Sequence, residues 1–467
     1  METLQRTANR GSVSTGYDID NSLKFEPDNS EYIHRTPSSA GNRRTWTLSF
    51  WLKRTELADG SNTMRIFEAW DGSVGTSALF TSGDVFILDL NAGSNYFTSS
   101  GVFRDTAAWY HFVIRVDTTS GTASERARVY VNGSELAGSW NSNIGQNTDL
   151  TWNQDVAHDF ARFHNNDSFV SGYYAEIINV DGTSLAPTAF GEVDSASGIW
   201  KPIDASPTYG TNGFKLEFKT AGGLGADTSG NGHTFTLNAI AAADQATDTP
   251  TNNFCTLNPL VNFKYGTNIG GMTNGATVFG DNTGGGVGGA FGTMAVTAGK
   301  WYWEVKLTQQ VQHYIGISAI ADGGDVLASS DPQDINSSFN FNISAARIEY
   351  HENGSKVNGS TDAFTDFHSV GDVISIALNM DDNQISMYGN GTLQAGVANT
   401  SIFDAANKMV VPFHATINDE CQYNFGGYSV WTPSSVQNDE NGYGTFEYAP
   451  PSGYYALCTQ NLALYGG

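Results

Sequence analysis

The sequence predicts an all-β protein made of two antiparallel β-sandwich domains joined by a short polar linker. Three observations carry this expectation. Apolar residues recur at every second position in short runs, from Trp46 to Lys53, from Trp109 to Val116 and from Trp301 to Leu307. Glycine is abundant at 52 residues and charged residues make up only 15%, a mixture that favours short strands and turns over long helices. At 467 residues the chain exceeds what a single core usually supports, and the stretch Ala241 to Asn258, AAADQATDTPTNNFCTLN, interrupts the alternation midway. The expected division is an arm over 1–21, a first sandwich over 22–240, a linker over 241–253 and a second sandwich with a C-terminal extension over 254–467.

The arm carries Arg6 and Arg10 among small polar residues and has little to bury. On a very acidic protein, those two cations suit docking to an acidic neighbouring subunit. In TWTLSFWLKR, Trp46, Leu48, Phe50 and Leu52 share one face. In WYHFVIRV, Tyr110, Phe112, Ile114 and Val116 do the same. Arg128 to Val131 runs into Asn132-Gly133, a pair that tolerates the positive φ of a tight hairpin turn. Shorter strands are expected at Arg65 to Glu68, Val85 to Leu90, Tyr174 to Val180 and Gly213 to Phe218, with room for one helical turn between Ser184 and Val193. Small and polar residues dominate the interrupting stretch and Pro250 removes a donor, so it is expected as a surface hinge. Beyond it, Trp301, Trp303, Val305 and Leu307 share the core-facing side of a strand. Val373 to Met380 turns through Asp381-Asp382-Asn383 into Gln384 to Tyr388.

Composition excludes some classes. Acidic residues outnumber basic ones 48 to 23 for a net charge of −25, so neither nucleic acid nor an anionic membrane is an expected partner. The first 20 residues hold no apolar signal core, and no run is long and apolar enough to be inserted in a membrane. The three cysteines, Cys255, Cys421 and Cys458, have no C-x-x-C spacing and are expected as buried free thiols. Gly284, Gly286 and Gly289 satisfy G-x-G-x-x-G, but no strand and helix flank them in a βαβ unit, so a loop is expected.

Candidate sites are few. Asp227, Ser229 and Asn231 place side-chain oxygens at alternate positions before Gly232, the spacing of a calcium loop. Asn238 stands where the bidentate glutamate is needed, so a polar turn is the competing reading and no other cofactor is expected. His158 and His164 share a face if HDFARFH is extended, but no acid or cysteine cluster accompanies them. Trp51, Trp109, Tyr130 and Tyr302 fall on faces expected to point outward, where aromatic rings stack on sugars or fill subunit interfaces. Glycosidases that pair carboxylates on one strand use E-x-D-x-(x)-E. Glu192-Val193-Asp194 is the nearest match and lacks the second glutamate, so an enzyme is not expected.

The motifs taken together resemble known families. SLKF, TWTLSFWLKR, AAWYHFVIRVD, RVYVNGSEL and GYYAEIINVDGTSLAP, in that order from about Ser22 to Leu237, resemble laminin G-like, concanavalin A-like jelly rolls. GKWYWEVKL, YIGIS, GDVISIALNMDDNQISMYGNGT and VVPFHA, within about Phe254 to Phe425, resemble the SPRY domain, with Gly389 replacing the usual lysine. The closing PPSGYYALCTQNL and the DTPTNNF junction resemble virion appendage proteins of tailed bacteriophages. That resemblance implies an adhesive structural protein of the phage particle, such as a tail fibre, assembled in the host cytoplasm. It would bind a host surface glycan or another virion protein, with Arg6 and Arg10 as virion-docking residues and a trimer as the expected homo-oligomer. The alternative it leaves is a capsid decoration protein or head fibre. A polysaccharide-degrading enzyme is the third class.

Overall fold

The longest alternating run becomes a ten-residue strand, Thr45–Arg54, whose Trp46, Leu48, Phe50 and Leu52 enter the core. The computed structural model describes residues 16–58, 62–195, 197–265, 271–280, 287–309, 312–319, 338–344, 347–352, 355–356, 369–398, 409–417 and 420–466. Arg6, Arg10, Gly284 and Gly286 lie outside the described residues. The chain divides into two units, one ending at Thr251 and the other beginning at Asn252. Each is an antiparallel β-sandwich.

In the first unit, Thr45–Arg54 lies between Trp109–Asp117 and Gly172–Asp181 in an eight-stranded sheet. The facing eight-stranded sheet runs Gly138–Trp140, Tyr96–Val102, Val85–Asp89, Gly75–Phe80, Met64–Trp70, His158–Phe160, Tyr32–Arg35 and Thr236–Asn238. Aromatic side chains fill the space between them. Phe50 stacks on Phe112 at 5.5 Å, and Trp152 meets Phe67 edge-on at 5.0 Å. Asn132 and Gly133 take φ of 48° and 78°, the expected turn that joins Ala127–Val131 to Ser134–Glu135.

The stretch expected as a linker behaves differently. Gln245–Ala246 pairs with Ser22–Phe25, and Asp248 and Thr249 are each only 1% exposed. The Lys53 ammonium, fully buried on the outer face of the first sheet, lies 2.6 Å from the Asp248 carboxylate. Trp109 Nε1 donates to the same carboxylate at 3.0 Å. Lys24 is likewise buried, between Glu31 at 3.0 Å and Asp244 at 2.8 Å. The stretch is polar because it supplies counter-charges to two buried lysines, which could not otherwise leave water. Its boundary with the second unit therefore falls at 251, and residues 241–251 complete the first sandwich. The arm also ends earlier than expected: Tyr17 donates to Glu176 at 2.8 Å, and Ile19 N–H to Thr251 Oγ1 at 3.1 Å.

The second unit pairs a seven-stranded and an eight-stranded sheet among the described residues. Trp301 and Trp303 on Lys300–Leu307 are fully buried in its core, as their alternation predicts. The tail after Phe425 forms an outer layer, and Tyr455–Ala456 adds to Lys300–Leu307 in parallel. The seven-residue helix Thr459–Tyr465 was not foreseen from the sequence.

Candidate functional site

Strand pairing lines up one row of side chains across the outer face of the first unit's second sheet: Thr236, His34, Asp159, Glu68, Ser77 and Asp89. Successive strands contribute one residue each, so the row is polar from end to end although no single strand reads as a motif. Ala161, with φ of 70°, ends His158–Phe160 and folds 162–169 back over this face. That reversal separates the two histidines that an extended HDFARFH would put together. His158 turns into the core, where Asn153 N–H donates to its Nε2 at 2.9 Å and burial lowers its pKa to about 4. His164 turns outward and stacks flat on Trp70, with ring centroids 4.5 Å apart and planes 2° off parallel, and its Nδ1 lies 2.9 Å from Glu68.

Next to this platform, Arg162 lies 3.5 Å over the Tyr32 ring and pairs with Asp159 at 2.8 Å. Burial raises the Asp159 pKa, and Arg162 pulls it back only in part. Tyr32 packs beside His34 at 5.6 Å and Phe169 at 6.5 Å. These rings are half-buried, so their faces remain partly available.

The row ends in a groove of about 500 Å³ along Tyr32–Arg35 and the segment before Thr236–Asn238. Its cations and imidazoles are Arg35, His34 and His233; its hydroxyls come from Thr36, Ser38, Thr234 and Thr236. Among the described residues, no carboxylate lines it. Arg35 is half-buried, and its guanidinium makes no ion pair or hydrogen bond among the described residues. Burial lowers its pKa in spite of attraction from Asp227. His34 Nδ1 is buried without a hydrogen-bond partner among the described residues, while His233 Nε2 donates to the Thr211 carbonyl at 2.7 Å. An under-partnered arginine in a chain with twice as many acids as bases is a specific feature. Arginine offers a fork of N–H donors that fits a carboxylate, sulfate or phosphate.

The residues singled out from sequence lie elsewhere. Trp51 is 4% exposed and stacks on His111 at 4.5 Å, and Trp200 Nε1 caps that ring by donating to His111 Nδ1 at 2.8 Å. Burial lowers the His111 pKa to about 3, so the imidazole is neutral. Trp109 is tied to Asp248. Tyr130 is half-buried beside Phe190 and Ala205. Tyr302 is 1% exposed beneath Phe446 and donates to Glu304 at 3.1 Å. All four fall on outer faces, as alternation requires, but later segments cover those faces. The Asp227 loop closes on itself: its carboxylate accepts from the Lys215, Ser229 and His233 amides and from Ser229 Oγ. Burial would raise the Asp227 pKa, but the backbone donors outweigh it and hold the group below the usual carboxylate value. Asn231 turns its amide to the Gly210 and Gly213 carbonyls. The three side chains satisfy a turn and do not converge on a cation. Glu192 and Asp194 both pair with Lys201.

Sequence reasoning missed Arg35, His34, Trp70 and His233. Tyr32 to Arg35 reads as an ordinary short strand, and His233 reaches the groove only because Thr236–Asn238 pairs with it. The available signal was the adjacent pair His34-Arg35 at the end of YIHR.

Comparison with known proteins places both folds. The laminin G model of the concanavalin A-like lectin/glucanases superfamily matches residues 27–177, and the SPRY-domain model matches residues 300–428. The chain carries a concanavalin A-like domain followed by a SPRY domain. The candidate groove and its aromatic platform belong to the concanavalin A-like domain, and the layer formed by the tail covers the SPRY domain. Among solved structures, the SPRY domain of human HERC1 is 18% identical, over 36% of this chain and 96% of that one, with a TM-score of 0.26. A candidate carbohydrate binding protein from Bacteroides ovatus ATCC 8483 is 15% identical, over 48% and 59%, with a TM-score of 0.34. The heptameric SAP-like pentraxin of Limulus polyphemus is 20% identical, over 37% and 80%, with a TM-score of 0.27. None of the curated proteins matches the chain.

Proposed function

We propose that the chain is an adhesive structural protein of a tailed-phage particle, a tail fibre or similar appendage, whose concanavalin A-like domain holds an acidic surface glycan without cleaving it. The observation that carries the binding reading is the groove in which Arg35, His34 and His233 meet four hydroxyl side chains and, among the described residues, no carboxylate. A sugar acid supplies the missing anion, its hydroxyls match the threonines and serine, and its ring face suits Tyr32, which packs beside His34 at 5.6 Å. The particle reading is supported by the order of sequence motifs and the PPSGYYALCTQNL stretch.

An array of neutral and acidic oligosaccharides, probed with the full chain and with Arg35→Ala, tests the groove. Retention of acidic members, lost in the variant, is expected; retention of neutral members only, or of none, overturns it. Release of reducing sugar from a retained polysaccharide would replace the adhesive with an enzyme. Immunogold labelling of particles separates a tail appendage from a capsid decoration protein.

A further inference from the structure

Two of the chain's nine histidines and one of its three cysteines meet in the interior of the SPRY domain. His313 stands on Gln312–Ala319 and His414 on the adjacent strand Val410–Ile417, where His414 is opposite Ile315, so both imidazoles share the inner face of one sheet. Cys421 stands on Glu420–Asn424 of the facing sheet. All three are at most 1% exposed, and their donor atoms lie within 4.8 Å of one another.

We propose that His313, His414 and Cys421 bind one divalent metal ion of borderline softness, Zn²⁺ being the first candidate, as a structural site between the two sheets of the SPRY domain. Imidazole and thiolate are the donor set that selects zinc over magnesium or calcium. Cys421 Sγ lies 3.2 Å from His414 Nδ1 and 3.5 Å from Nε2, beside the ring, so binding requires the imidazole to turn and point Nε2 at an ion shared with the thiolate. His414 Nδ1 meets the Tyr423 hydroxyl at 2.9 Å, the kind of outer contact that orients a ligating imidazole. His313 Nε2 lies 3.5 Å from the Gln309 carbonyl, and its ring meets that of His414 edge-on with centroids 5.7 Å apart. Binding exchanges the Cys421 S–H bond for a sulfur–metal bond and releases that proton to solvent, so affinity rises with pH.

The test uses the full chain. Zinc content by elemental mass spectrometry should be one ion per chain. Substitution by Co²⁺ should give the visible absorption of a tetrahedral site and a thiolate-to-cobalt charge-transfer band. Cys421→Ser should abolish that band, and Cys458→Ala, which removes a different buried thiol, should retain it. Should Cys421→Ser fail to fold, a chelator-induced fall in the SPRY domain's melting temperature in the unmodified chain, reversed by Zn²⁺ alone, supports the site independently. A chain that takes up neither ion, shows no cobalt spectrum and melts identically with and without chelator overturns the proposal. His414, Cys421 and Tyr423 would then form only a hydrogen-bonded core cluster.

Discussion

The two outer faces of the concanavalin A-like sandwich have opposite fates. On one, Trp51, Trp109, His111 and Lys53 project away from the core and are sealed by 183–213 and 241–251. On the other, Tyr32, His34 and Trp70 project outward and stay half-exposed, with His164 of the following turn stacked on Trp70; Arg35, on the Ile33 and His158 side of its strand, reaches the groove at the strand's end. Alternation within a strand assigns a side chain to a face, but says nothing of what arrives later to cover it. The covered face shows the cost of sealing: each buried cation needs an anion brought from elsewhere in the chain, Asp248 for Lys53 and Asp244 with Glu31 for Lys24. Arg35, at the groove, has attraction from Asp227 but no ion pair within the described residues. The difference between a structural cation and a ligand-seeking one is whether the fold has provided its partner.

The sharpest way to break this comparison is at Lys53. Lys53→Met leaves the Asp248 carboxylate buried without its cation, and should cost about 3–5 kcal/mol in denaturant unfolding of the concanavalin A-like domain. Arg35→Met in the groove should change stability by less than about 0.5 kcal/mol. If the two substitutions cost the same, the faces do not differ as described.

The second contrast is between tryptophans. Trp51→Ala removes a ring packed against His111 beneath Trp200, with an expected loss of about 3–5 kcal/mol. Trp70→Ala removes one stacked only on half-exposed His164 and should cost about 1 kcal/mol. Thermal denaturation of both variants checks the ordering, and an equal loss contradicts it.

The SPRY domain extends the comparison to a face sealed around an anion. Glu304 is fully buried and accepts from the Glu447 and Tyr448 amides, from Asn424 and from Tyr302, which anchors the tail. Burial raises its pKa from 4.5 to about 7, although these donors oppose the shift. The folded domain therefore keeps a proton that the unfolded chain gives up. The associated stability is complete below pH 4.5 and is lost as pH rises through about 7, a change of about 3 kcal/mol. Glu304→Gln should flatten that part of the stability profile; a slope unchanged in the variant assigns the pH dependence to another group.

Much of the fold was legible because period-two patterning and turn chemistry are local. The Trp46 and Trp301 strands, the Asn132-Gly133 turn and the two-sandwich division follow from a few adjacent residues each. What was not legible depends on long-range placement. Asp248 lies 195 residues from the lysine it neutralises, so its stretch reads as a linker until the pairing is seen. The groove draws on Arg35 and His233, brought together by one short edge pairing. Trp51, Trp109 and Tyr302 illustrate the converse: outward by pattern, buried by later chain.

The central claim is that the under-partnered cation in the groove recognises an acidic saccharide. Calorimetric titration of a uronate-bearing oligosaccharide into the full chain, into Arg35→Ala and into Lys201→Ala tests it most directly. Lys201 carries the same charge but pairs with Glu192 and Asp194 away from the groove. Loss of a charge-assisted hydrogen bond of about 1.5–3 kcal/mol predicts affinity weakened by about 10- to 100-fold in Arg35→Ala and unchanged in Lys201→Ala. Equal weakening in both variants, or none in Arg35→Ala, would contradict the account.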